Sequence, residues 1–133
     1  MSDRVKLTID GKEAWVERDT TILEAARALG IEVPTLCHNP ALEPYGACRM
    51  CTVEIVGKGW SQLVTSCNYP IRREMEVLTA SDKVMRGRKM LVELLLARCP
   101  DAPLFQEMAA KYGVGRPRFE TQEAELCYLC GLC

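Results

Sequence analysis

Apolar and polar residues alternate along Val5-Lys6-Leu7-Thr8-Ile9, the period of a strand with one buried face. Asp10-Gly11 follows as a two-residue turn signal, so Ala14-Trp15-Val16-Glu17 can return as the second strand of a hairpin. The period then lengthens. Ile22, Ala25, Ala26 and Leu29 recur at helical spacing and form one face that can cover the hairpin. Thr21-Ile22-Leu23-Glu24 reads as a capping box, and Gly30 is a suitable residue to end the helix.

Beyond Pro34 the periodicity disappears. Thr35 to Met50 reads as one long loop, and such a loop inside a compact domain needs an internal organiser. Strand patterning resumes at Cys51-Thr52-Val53-Glu54-Ile55-Val56, with a turn at Gly57-Lys58-Gly59 and a returning strand over Gln62 to Ser66. Met75-Glu76-Val77-Leu78 reads as a closing strand. Ser81 is placed to cap a helix from Asp82 to Arg98, with Val84, Met85, Leu91, Val92, Leu94, Leu95 and Leu96 as its apolar positions. Pro100 stops that helix, and a shorter one is expected from Leu104 to Tyr112, ended by Gly113. The chain thus divides into a first unit over residues 1–80, a helical segment over 81–112, and a linker with a terminal cysteine motif over 113–133.

The 133 residues carry a formal net charge of −1, which gives no reason to expect a nucleic-acid partner. The N-terminal residues are charged and lack the apolar stretch of a signal peptide. The longest apolar run, Leu94 to Ala97, is too short to span a bilayer. A soluble cytoplasmic protein is expected, in which clustered cysteines serve as metal ligands or redox groups rather than as disulfides.

Eight cysteines are present, and seven fall into two groups. Cys37, Cys48, Cys51 and Cys67 form the first: a C-x-x-C with one distant cysteine on each side. Soft thiolates select iron–sulfur clusters, zinc or copper(I). Zinc sites usually pair two C-x-x-C units or add histidines, and the wide single spacings here argue against that. A [2Fe–2S] cluster needs only four thiolates converging from a loop and a neighbouring strand. Gly46 and Ala47 would let backbone N–H groups approach the sulfurs. The second group, Cys127-x-x-Cys130-x-x-Cys133, ends the sequence.

His38, the sole histidine, adjoins Cys37; Rieske ligation requires two, so it reads as a neighbour of the site or a surface residue. Arg72-Arg73 and Arg86, Arg88 and Lys89 read as solvated positions, with docking of an acidic partner as the alternative. Trp15, Trp60, Tyr45 and Tyr69 read as packing residues. No phosphate-cradling glycine motif and no nucleophile–base pair is visible, so no catalytic residues are assigned.

Three stretches carry a family resemblance: Pro34-Thr35-Leu36-Cys37-His38, Gly46-Ala47-Cys48-Arg49-Met50-Cys51-Thr52-Val53-Glu54, and Thr65-Ser66-Cys67. Together with Thr20-Thr21-Ile22-Leu23-Glu24-Ala25-Ala26, they resemble the N-terminal [2Fe–2S] domain of the NADH dehydrogenase large iron–sulfur subunit family. The same domain recurs in bidirectional and electron-bifurcating hydrogenases and in NAD-dependent formate dehydrogenases. The resemblance covers about residues 4–80 and implies an α+β, β-grasp ferredoxin fold with a [2Fe–2S] cluster on Cys37, Cys48, Cys51 and Cys67. It also implies a relay of single electrons between a flavoprotein NADH-oxidising subunit and a catalytic oxidoreductase subunit, in a hetero-oligomer.

The sequence departs from that family after the first unit. Many relatives carry a His-Cys₃ [4Fe–4S] site there, whereas Leu95-Leu96-Ala97-Arg98-Cys99-Pro100 retains only the cysteine. The terminal motif resembles the opening of a bacterial ferredoxin run, C-x-x-C-x-x-C-x-x-x-C-P, without its last cysteine. Cys99, followed by proline, is the cysteine left over. The expectation is a [4Fe–4S] cluster on Cys99, Cys127, Cys130 and Cys133. One alternative makes Cys99 a buried helix-end thiol, with the missing ligand in a longer chain or a partner; another makes the terminal group a structural zinc module.

Overall fold

The computed structural model describes residues 3–121. It divides into two compact units, the first running to Val84 and the second beginning at Met85.

The first unit is a five-stranded mixed sheet. Its strands are β1 (Arg4–Ile9), β2 (Lys12–Glu17), β3 (Thr52–Gly57), β4 (Trp60–Thr65) and β5 (Met75–Leu78), in the order β2-β1-β5-β3-β4. Two hairpins, β1–β2 and β3–β4, are antiparallel, and β5 lies between them, parallel to β1 and antiparallel to β3. Helix α1 (Ile22–Ala28) buries Ile22, Leu23, Ala25 and Ala26. These residues join Leu7, Ile9, Val53, Ile55 and Val77 in one core cluster. A mixed sheet with a covering helix is the expected α+β, ferredoxin-like arrangement. Each fully buried aliphatic side chain contributes about 1.5–3 kcal/mol.

Local sequence explains the element ends. The capping box forms as expected: Glu24 N–H donates to Thr21 Oγ1 at 3.2 Å, and Thr21 N–H to Glu24 Oε2 at 3.2 Å. Gly30 takes φ +74° just past the helix, a left-handed conformation that costs glycine nothing. Gly57 is the last residue of β3 and pairs with Trp60, so the turn is shorter than the sequence pattern implied. The Trp60 indole lies across Gly57, where a Cβ would come within 2.2 Å of the ring.

Helices α2 (Asp82–Arg98) and α3 (Pro103–Tyr112) follow. Val84 N–H donates to Ser81 Oγ at 3.3 Å, which makes Ser81 the cap. Pro103 begins α3 one residue earlier than the apolar pattern indicated, because its fixed φ suits the first turn. Gly113 ends α3 in the left-handed region. Phe105, Ala109 and Tyr112 are buried within this second unit.

Several side chains depart from their sequence reading. Arg88 is buried, not solvated, because it lies at i±4 from the buried Val84 and Val92. Leu94 falls off that stripe and is exposed. Trp15 is 63% exposed and Tyr45 49% exposed, so neither is a core residue. Tyr69 does pack against the core. Among the described residues, no helix is long and apolar enough to cross a membrane.

Candidate metal centre

The four cysteines of the first group come together from three places. Cys37 and Cys48 lie on the long loop after α1, Cys51 immediately precedes β3, and Cys67 sits in a 3-10 turn over Ser66–Asn68. Cys37, Cys51 and Cys67 are buried, while Cys48 is partly open to solvent. All are free thiols.

They associate in two pairs. Cys37 N–H donates to Cys48 Sγ at 3.4 Å, and the two thiols lie within hydrogen-bonding reach of each other. The Cys67 thiol lies within hydrogen-bonding reach of the Cys51 thiol and within electrostatic reach of Cys37. Among the described residues, no three His, Cys, Asp or Glu side chains converge closely enough for a single ion. Two adjoining thiol pairs suit a binuclear centre with two ligands per iron; a tetrahedral zinc site needs all four sulfurs about 2.3 Å from one ion.

Backbone amides polarise these sulfurs. Burial drives the Cys48 thiol upward, but N–H groups of Cys37, Met50 and Leu36, with the Cys37 thiol, outweigh it and hold Cys48 below its ordinary value. Burial pushes Cys37 up, opposed by the Cys48 and Ala47 amides. Burial, with the Cys51 side chain and charge, pushes Cys67 up to about 12, and the Gly46 amide works against that rise. N–H donors aimed at sulfur are what an anionic iron–sulfur ligand set requires.

Three features fix the loop. Gly46 and Arg49 both have φ +65°, and Arg49 Nη1 donates to the Gly46 carbonyl at 3.4 Å. A left-handed arginine is not visible in sequence; it turns the chain between Cys48 and Cys51 where a glycine would be the ordinary choice. Ser66 donates to the Cys51 carbonyl through both its amide, at 3.2 Å, and its hydroxyl, at 2.7 Å. Those bonds end the β3–β4 ladder and set Cys67 beside Cys51. Met50 is fully buried beside them. His38 is half-buried next to Cys37, and its Nδ1 has no hydrogen-bond partner.

Cys99 is a buried thiol at the end of α2, where its carbonyl accepts from Ala102 N–H at 3.2 Å. Cys127, Cys130 and Cys133 lie outside the described residues. Away from the thiols, Tyr69, Pro70, Arg72, Arg73 and Met75 line an open groove of about 340 Å³, and Arg72 is held by Asp19 at 2.6 Å.

The family model of the 2Fe-2S iron-sulfur cluster binding domain matches residues 2–82. The chain belongs to that family. The match contains all four paired cysteines and ends two residues before Val84, where the first unit gives way to the second. The NADPH-Fe(3+) oxidoreductase subunit alpha of Geobacter sulfurreducens is 42% identical over 123 residues, which are 87% of this chain and 14% of that protein. The mitochondrial NADH-ubiquinone oxidoreductase 78 kDa subunit of Candida albicans is 32% identical over 124 residues, 86% of this chain and 17% of that protein. A chain of the NAD+-reducing [NiFe]-hydrogenase in the H2-reduced state superposes with a TM-score of 0.80 and 28% identity, covering 97% of this chain and 64% of that one. The resemblance read from the cysteine-bearing stretches is thus borne out. The chain spans 14% and 17% of the length of these two curated relatives.

Proposed function

We propose that this 2Fe-2S domain is an electron relay whose cluster is held by Cys37 and Cys48 on one iron and Cys51 and Cys67 on the other. The two-pair geometry of the thiols carries this reading. When bound, the cluster takes up and releases one electron at a time. The chain's own residues do the rest. Burial of Cys37, Cys51 and Cys67 keeps water from the sulfurs, and the partial exposure of Cys48 leaves one edge through which an electron can reach a neighbour. The amides of Leu36, Cys37, Ala47, Cys48 and Met50 offset charge on the loop sulfurs, which favours the more negative, reduced state.

The names of the relatives support the wider setting. The proposed partners are a flavoprotein that oxidises NAD(P)H and a catalytic oxidoreductase subunit, in a cytoplasmic hetero-oligomer. Cys99, Cys127, Cys130 and Cys133 are proposed to hold a [4Fe–4S] cluster, on the strength of the terminal spacing and the proline after Cys99.

The test is EPR of anaerobic, dithionite-reduced protein beside iron and zinc quantitation. Two occupied clusters give about six irons per chain and both signal types. Cys48→Ser abolishes or strongly alters the [2Fe–2S] signal and leaves a C-terminal cluster detectable; unchanged spectra overturn the ligand assignment. Two irons alone overturn the second cluster, and one zinc beside them assigns the terminal group to a structural role.

A further inference from the structure

We infer that Thr65 and Asn68 form a clamp that positions the Gly46 amide against the Cys67 sulfur and thereby tunes the redox centre. The inference rests on Cys67 being a cluster ligand. Gly46 is buried and left-handed, at φ +65°. A Cβ built on it would come 2.7 Å from Asn68 Nδ2 and 3.1 Å from Thr65 Oγ1. Both side chains therefore lie directly on its α-carbon. The Thr65 hydroxyl donates to Asn68 Oδ1 at 2.5 Å, which fixes the Asn68 amide over the loop. Thr65 is buried at the end of β4, and Asn68 closes the 3-10 turn that carries Cys67.

The consequence lies at Cys67. Gly46 rests against Thr65 and Asn68, which flank the turn over Ser66–Asn68 that carries Cys67, and its amide acts to lower the Cys67 thiol against the rise that burial causes. The loop that bears Gly46 has no regular structure from Thr35 to Met50, so its distance from Cys67 is set by what holds it there. The Thr65–Asn68 pair presses the loop onto the turn, and the absence of a side chain at position 46 permits the close approach. Neither residue is a proposed ligand; both act through Gly46 and are positioning residues. An N–H donor to a ligand sulfur stabilises the reduced state, so loosening the clamp lowers the reduction potential.

Asn68 is exposed, so Asn68→Ala leaves the core intact. Thr65→Val keeps the buried shape and removes only the hydroxyl, and Thr65→Ser restores it. The readouts are the midpoint potential of the [2Fe–2S] signal and the rate of iron loss to a chelator. Asn68→Ala and Thr65→Val are expected to lower the potential and to speed iron loss about 10-fold, the effect of losing an outer-shell partner. Thr65→Ser behaves as wild type, and the double variant shifts no further than either single, because both changes release one clamp. A wild-type potential and iron-loss rate in Asn68→Ala, or additive shifts in the double variant, overturn the clamp alone. A wild-type chain without any [2Fe–2S] signal overturns the ligand assignment and the clamp with it.

Discussion

Asp10 and Thr79, 69 residues apart, are joined twice: the Thr79 amide donates to Asp10 Oδ1 at 2.8 Å, and its hydroxyl donates to Oδ2. Asp10 lies in the β1–β2 turn at φ +50°, and Thr79 follows the last residue of β5. The pair therefore ties the hairpin turn to the end of the central strand. Thr79 is buried, so removing its acceptor leaves two polar groups without partners. Asp10→Ala is expected to cost about 1–3 kcal/mol in urea unfolding of the holo chain, with Asp10→Asn milder because an oxygen remains.

Glu54 gives a pH dependence. Its carboxylate lies 3.7 Å from Lys83 Nζ, and Lys83 Nζ donates to Ser61 Oγ at 2.9 Å. Hydrogen bonds from Ser61 and Ser81, and then the Lys83 charge, hold it below its ordinary value of 4.5 despite the opposing effect of burial. A depressed folded value means that the stabilisation is complete above 4.5 and is lost as the pH falls through the lower folded value. The stability difference between wild type and Glu54→Gln, from chemical denaturation across pH 7 to 3, is therefore expected to shrink on the acid side. A constant difference would remove Glu54 as the titrating group.

Stripping the metal exposes the opposite sign. Cys67 is pushed up to about 12, so in the metal-free chain folding favours the neutral thiol. That stability is intact below the ordinary thiol value of 9.0 and declines as the pH rises from there towards 12. Metal-free wild type is expected to weaken above pH 9, and metal-free Cys67→Ala to weaken less. Thermal melts from pH 7 to 11 make the comparison.

Phe105 is fully buried in the second unit. Phe105→Ala is expected to destabilise that unit by about 3–5 kcal/mol. Far-ultraviolet circular dichroism during denaturation reads it directly, and a loss below about 1 kcal/mol would show that the site collapses around the deletion.

Much of this was legible before any coordinates. Helix boundaries at Asp82–Arg98 and the capping box at Thr21 follow from local rules that act within four residues. The family was legible through the resemblance carried by the cysteine-bearing stretches, which matches the family found over residues 2–82. The pairing of thiols was not, because Cys51 and Cys67 meet only through Ser66 bonding back to the Cys51 carbonyl. Arg88 was misplaced because its charge outweighed its position in an i±4 stripe. Arg49 at positive φ and the Thr65–Asn68 contact left no composition signal, since both depend on where a loop without periodicity comes to rest.

The position of β5 orders the birth of the domain. Sequence direction delivers both hairpins and all four paired thiols, the last at residue 67, before residues 75–78 exist to join β1 to β3. A nascent chain halted between those points holds two separate ribbons and sulfurs that no finished sheet shelters. The β1–β5 pairing also joins residues far apart in sequence, Leu7 with Met75, and such long-range pairing slows folding in general. Shelter of the sulfurs by the finished sheet thus waits for residues 75–78, which are made after every paired thiol.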